Sequence, residues 1–208
     1  MMRRGAVLLL CMCLAMPLRA QSRVEAALGG TREIVHSRAG SGAARFAGSV
    51  LGGGVDVARG HFGARLRYGQ GRVANDTMAR DLAEGEALIG YMPRGWLGIW
   101  AGPHARTFIA PGLSDRRWLF WTARVHAQGA IFPNRLDGFA ELWQGVSGRL
   151  SRPDVTASGG GAEFGLEARP LRGRLVARLA YRVEQGRASG FRETVEGFVL
   201  AMRYGLFR

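Results

Sequence analysis

Arg174–Phe207, RLVARLAYRVEQGRASGFRETVEGFVLAMRYGLF, decides the fold because it states one rule twice. In its first half Leu175, Ala177, Leu179, Tyr181 and Val183 alternate with Arg174, Val176, Arg178, Ala180, Arg182 and Glu184. Period two predicts a strand. After the turn-like Gly186-Arg187-Ala188-Ser189-Gly190 the alternation resumes. Phe198, Leu200, Met202, Tyr204 and Leu206 share one face, and Gly197, Val199, Ala201, Arg203 and Gly205 the other. The stretch predicts a hairpin whose two strands each run to about ten residues or more.

Strands of soluble sheets usually run about five or six residues, whereas a tilted membrane crossing takes roughly 9–11. One face of this hairpin is continuously apolar or aromatic, and the other mixes small residues with Arg and Glu. That is the wall of an inside-out barrel. Turning Arg174, Arg178 and Arg182 towards lipid would cost up to about 2–4 kcal/mol each near the midplane. The register is therefore fixed, since a one-residue slip exchanges the two faces.

Here the chain resembles the small bacterial outer-membrane β-barrels of the OmpA, OmpX and OmpW type, which end in an amphipathic strand with an aromatic residue at or near the C-terminus. The last strand reads GFVLAMRYGLF and Arg208 follows it, so the aromatic is penultimate. The resemblance is one of architecture over nearly the whole chain and brings no catalytic or ligand motif. It implies location in the cell outer membrane, outer-membrane lipids as surroundings, and recognition of the C-terminal strand by the barrel-assembly machinery.

At the other end, Met1-Met2-Arg3-Arg4 is basic, Gly5–Met16 is apolar, and Pro17-Leu18-Arg19-Ala20 ends on a small residue. The pattern predicts a cleaved signal peptide over residues 1–20, too short for a spanning helix. Residues 21–208 then form one barrel. Both cysteines, Cys11 and Cys13, fall in the signal segment, so the remainder has no route to disulfides, thiol catalysis or cysteine metal sites. The formal net charge of +13 comes entirely from arginine, as the chain has no lysine. Arginines spaced singly along strands behind a signal peptide argue against nucleic acid; basic charge at the rim suits the phosphates of lipopolysaccharide.

Read in order, the chain predicts a strand over Val24–Val35, interrupted at Gly29-Gly30, and a loop over Ser37–Ala44. Arg45–Val57 follows with Ala47, Ser49, Leu51, Gly53, Val55 and Val57 outward. A turn at Ala58-Arg59-Gly60 leads to Phe62, Ala64, Leu66 and Tyr68 facing out, with His61, Gly63, Arg65 and Arg67 facing in. After a loop over Gly71–Arg80, Asp81–Met92 places Glu84 and Glu86 inward. Pro93-Arg94-Gly95 turns it, and Trp96–Phe108 returns with Trp100, His104 and Arg106 inward and a bulge or frayed region at Pro103. A loop over Ile109–Ser114 precedes Arg117–Gln128, with Phe120, Thr122, Arg124 and His126 inward. Leu136–Leu150 follows the turn at Pro133-Asn134, and its mixed faces assign no side. A loop over Ser151–Ser158 and the strand Gly161–Arg169 lead to the turn Pro170–Gly173. The fold class is all-β: an up-and-down antiparallel transmembrane barrel of eight to ten strands, ten favoured, with tight turns at one end and longer loops at the other.

The charged lumen set is Arg65, Arg67, Glu84, Glu86, Arg106, Arg124, His126, Glu163, Glu167, Arg169, Arg174, Arg178, Arg182 and Arg203, with Glu184 beside them. Carboxylates and guanidinium forks in a narrow barrel should pair, because an unpaired buried charge is costly. The same set could line a narrow anion-selective path. His61, His104 and His126 fall inward without any metal-binding spacing, and no spacing sets Ser114 or Ser147 beside a histidine. Tyr68, Tyr91, Trp96, Trp121, Trp143, Tyr181 and Tyr204 are candidates for interfacial girdles. The sequence thus favours a monomeric barrel of structural or interactive type without a cofactor. Its rivals are a lipid A-modifying or proteolytic barrel enzyme, a narrow anion pore, and a secreted soluble barrel of lipocalin type.

Overall fold

The computed structural model describes residues 22–109, 115–151, 154–170 and 174–207. The expected signal peptide, the loop residues 110–114 and the turn residues 171–173 lie outside the described residues. Ten strands follow one another: β1 Ser22–Ala39, β2 Gly42–Arg59, β3 Phe62–Ala74, β4 Ala79–Arg94, β5 Leu97–Ile109, β6 Arg116–Phe132, β7 Leu136–Ser151, β8 Val155–Ala168, β9 Leu175–Ala188 and β10 Phe191–Phe207. Each pairs antiparallel with its sequence neighbours, and β1 also pairs with β10, so the sheet closes with no free edge. Both described ends of the chain lie at one end of the barrel, which we term the terminal end; the β1–β2 and β9–β10 turns lie at the far end.

The faces read from periodicity hold through β2–β6 and β8–β10. On the outside, Leu28 and Ile89 are 74% and 73% exposed, in the company of Leu51, Leu66, Leu142, Phe164, Leu200 and Met202. On the inside, Glu33 and Arg178 are 0% and 5% exposed. Only a medium less polar than water makes that arrangement favourable. It excludes, over this part of the barrel, the soluble lipocalin-type alternative, which needed the apolar face inward. Tyr91, Trp96 and Tyr204 stand outward towards the terminal end, and Tyr68 and Trp121 outward further along. Trp143 is a correction: it is buried in the lumen and belongs to no girdle.

Strands of 13–18 residues at about 3.3 Å per residue and a tilt of roughly 45° rise about 30–42 Å, beyond the roughly 25 Å apolar band of such barrels. The excess lies at the far end, and there the polarity of the wall reverses. On β1, Val35 points in while His36 and Arg38 point out; on β2, Phe46 points in and Arg45 out; on β10, Val195 points in and Arg192 out. Above the band the wall is built like that of a soluble barrel.

This reversal accounts for the segments misread as long loops. Ser37–Ala44 is mostly strand, and β1 and β2 pair without a break from Ser22↔Arg59 to Ala39↔Gly42, Gly29-Gly30 included. Only Gly40 and Ser41 turn, with Gly40 at φ 57°. Gly71–Arg80 shrinks to the four residues 75–78, and strand β8 begins at Val155 rather than Gly161. The expected contrast between tight turns and long loops is therefore absent among the described residues. Strand β6 likewise continues to Phe132, beyond the Gln128 expected.

Two further points concern single strands. At Pro103 there is no bulge, since Glu86↔His104 and Ile89↔Ala101 share one register. The β4–β5 pairing is instead interrupted at Gly102 and Pro103, the frayed alternative, while Pro103 pairs with Trp121 on the other side. Strand β7, to which no face was assigned, carries a register shift instead. Its pairing with β6 steps from Trp121↔Ser147 to Thr122↔Gly145, leaving Val146 as the extra residue of a bulge. Asp137, Phe139, Glu141 and Trp143 point inward before the bulge and Leu150 after it, so the parity changes within the strand.

Candidate functional site

The lumen is the site, and it has two storeys. At the terminal end Arg203 reaches Glu25 (3.5 Å) and pairs with Glu167. Arg178 donates to Glu167 (3.0 Å) and Glu163 (2.6 Å) while its guanidinium lies 3.9 Å from the centre of the Phe139 ring. Arg169 holds Asp137 at 2.6 Å at the mouth.

Higher up, Glu141 accepts from Arg65 (2.9 Å) and Arg124 (3.2 Å), with His126 at 3.4 Å. Arg65 also faces Asp56 (3.4 Å) and lies over Trp100. Trp100 itself covers Gly90 on β4: a Cβ there would come within 2.3 Å of the indole, so only glycine admits the ring. Arg124 continues to Glu86 (2.8 Å), and Arg67 lies between Asp56 (3.8 Å) and Glu86 (3.7 Å). The uppermost ionic layer joins Arg106 to Glu84 and Glu184 (2.8 Å each) and Arg182 to Glu84 (3.1 Å) and Glu33; His104 stands between Glu86 (3.8 Å) and Glu184 (3.7 Å).

The second storey is apolar. Val35, Phe46, Val50, Val73, Leu82, Phe108, Trp118, Phe120, Leu150 and Val195 form one buried cluster across the far end of the lumen. Trp118 and Phe120 stack with centroids 5.9 Å apart, and Trp143 links Phe120 to His104 below. Arg80 lies over Phe46 and Arg116 over Phe191 at the mouth. A cavity of about 140 Å³ remains beneath this plug, against the small residues of β1–β3 and between the charged side chains. It has room for several water molecules, with charged side chains on its lumen side to bind them.

The charged residues expected in the lumen are thus paired in three groups, with one exception: Arg169 with Asp137, the set around Arg178 and Arg203, and the larger set from Arg65 to Arg182. The exception, Arg174, is exposed at the terminal rim, outside β9, and donates to the Leu206 carbonyl oxygen (3.1 Å). His61, expected inward, is exposed in the β2–β3 turn, its Nδ1 2.9 Å from the Met92 carbonyl oxygen. Sequence reasoning missed Glu25, Glu33, Asp56, Asp137 and Glu141 as partners. Period two would have exposed Glu33, whose neighbours Thr31 and Val35 also point inward; the β7 bulge hid Asp137 and Glu141. Ser147 sits exposed at that bulge. Among the described residues no three His, Cys, Asp or Glu side chains are grouped to hold a metal ion.

A closed, even-stranded barrel that is greasy outside and ionically paired inside is a transmembrane β-barrel of the bacterial outer membrane. No family model matches the chain, and no curated protein matches it either. Solved structures similar to it include the translocator domain of the autotransporter NalP from Neisseria meningitidis (11% identity, TM-score 0.44, covering 96% of this chain and 94% of that one). Neisserial surface protein A is 10% identical with a TM-score of 0.43, covering 89% of this chain and 99% of that one. Ail, the attachment invasion locus protein of Yersinia pestis, is 10% identical with a TM-score of 0.39, covering 89% and 100%. Nothing about function passes from these proteins to this chain.

Proposed function

We propose that the protein is a plugged outer-membrane barrel of structural and interactive type. It anchors by its apolar belt, presents its far rim, and neither conducts solute nor catalyses a reaction. The observation that carries this reading is the apolar cluster from Val35 to Val195, which fills the lumen above the ionic network. An ion entering from the terminal end would meet successive Arg–Glu pairs and then desolvated rings. Such a constriction blocks ions because entry strips their water without replacement.

The non-catalytic part of the proposal is supported by how the lumen histidines are engaged. His104 and His126 face carboxylates that arginines already neutralise, an arrangement suited to holding charge in place. The closed sheet leaves no edge strand for pairing, in keeping with a monomer. The refolded protein in planar bilayers is expected to give no stepwise conductance, and Phe108→Ala with Trp118→Ala should create steps. Stable steps from the unsubstituted protein would overturn the proposal in favour of the anion path.

A further inference from the structure

The reversal of polarity leaves a second feature, on the outside of the wall. Strands β9, β10, β1 and β2 are adjacent, and the Gly40 N–H donates to the Gly190 carbonyl oxygen (3.0 Å), tying the tips of both hairpins together. On the outer face of this wall Arg38 stands directly opposite Arg192, and His36 directly opposite both Arg45 and Thr194. A groove runs among these side chains. Like charges set directly opposite each other in a sheet are unfavourable, and an anion held between them relieves the repulsion.

Among other exposed arginines, Arg72 faces Asp81 (3.6 Å) and Arg149 faces Asp154 (2.6 Å), whereas Arg32, Arg59, Arg94, Arg117, Arg135 and Arg187 have no carboxylate within 4.0 Å among the described residues. Arg38, Arg45 and Arg192 have none within 4.0 Å among the described residues either, and what sets them apart is that they cluster across three neighbouring strands. The acid nearest the group is Glu196, 3.9 Å from His36 and already accepting from the Tyr181 hydroxyl (2.9 Å). The height of the cluster completes the argument. On β10 the apolar outer run ends at Phe198 and on β2 at Leu51, six residues from Arg192 and Arg45 respectively. The arginine backbones therefore stand roughly 14 Å above the edge of the apolar band, and their side chains are long enough to reach back towards the headgroups.

We propose that Arg38, Arg45 and Arg192, with His36 and Thr194 as further hydrogen-bonding groups, form a binding site for the phosphate-bearing headgroup of a lipid in the surrounding leaflet. Guanidinium forks bind phosphate oxygens in pairs and stay charged at all relevant pH. A lipid is the fitting source because its acyl chains would lie along the apolar wall directly below. The inference rests on the outer-membrane reading but not on the plug, since none of these side chains enters the lumen.

The test is native mass spectrometry and titration of the folded full chain in detergent with bisphosphorylated lipid A. The unsubstituted protein should retain it. Arg38→Gln/Arg45→Gln/Arg192→Gln should bind about tenfold more weakly or worse, and Arg72→Gln/Arg149→Gln within about twofold of the original. Lipid A stripped of its phosphates should bind as weakly as the triple variant does. Equal affinity of the triple variant, or of the stripped lipid, would overturn the site. Inorganic phosphate displacing the lipid at equal concentration would overturn the lipid as its source. Heat-modifiable gel mobility checks that the variant is folded. Should it fail to fold, the salt dependence of the unsubstituted protein decides: affinity should drop steeply with ionic strength, and a flat dependence would refute the proposal. A barrel that conducts yet binds the phosphorylated lipid would sink the plug alone.

Discussion

The two storeys of this barrel obey opposite rules although the same strands build both. In the lower storey charge is inside and grease outside; in the upper storey Val35, Phe46, Phe108 and Trp118 are inside and Arg38, Arg45 and Arg192 outside. The difference teaches where the membrane ends. A strand cannot alter its pleat, so at the bilayer edge the residue types exchange faces while the backbone continues unchanged. Strand β2 shows this within one run, as outward Val57, Val55 and Leu51 give way to outward Ser49 and Arg45.

The largest effect that would sharpen this contrast is expected from the lower storey. Glu141→Leu would leave Arg65 and Arg124 without their shared partner and should destabilise the barrel by about 3–5 kcal/mol, read by urea unfolding from lipid vesicles. A cost under about 1 kcal/mol would mean that water, and not pairing, carries the lumen charge. In the upper storey Phe108→Ala should cost about 3 kcal/mol by leaving a cavity in a packed cluster, in the same assay.

Arginine scanning of the outer face should then separate the storeys on a single strand. Val55→Arg is expected to cost about 2–4 kcal/mol and Ala47→Arg about 0–1, because the cost of a lipid-facing arginine falls towards the interface. Equal costs at the two positions would erase the boundary. The smallest effect belongs to the exposed pair Arg72–Asp81, where Arg72→Ala should change stability by less than about 0.5 kcal/mol.

How much of this was legible followed the same boundary. Within the band, alternation of large apolar residues with Arg and Glu fixes the faces of β2–β6 and β8–β10, and with them the ionic network. Above the band on β1, β2 and β10 the outward residues are mostly Ser, Ala, Thr, Glu, Arg and His, so the apolar signal on that face fades. The inward residues are few and separated by glycine and alanine, and Ser37–Ala44 and Ser151–Ser158 therefore read as loops. The plug escaped notice because its members come from nearly every strand, one or two each, and only closure brings them together. The bulge at Val146 was illegible for another reason: its position is set by the partner strand, which a single sequence does not display. Glu193, buried at 3% exposure among the plug residues, is a placement for which we have no physical account.

The most direct test of the account is a nitroxide scan of the outer face of β2, facilitated because no cysteine falls in any of the ten strands. Labels at residues 47, 49, 51, 55 and 57 would be compared for collision with oxygen, which concentrates in lipid, and with a water-soluble nickel chelate. The account predicts that the chelate dominates at Ala47 and Ser49 and oxygen at Leu51, Val55 and Val57, with the crossover between Ser49 and Leu51. Chelate access along the whole strand would contradict the membrane belt, and oxygen along the whole strand would contradict the polar upper storey.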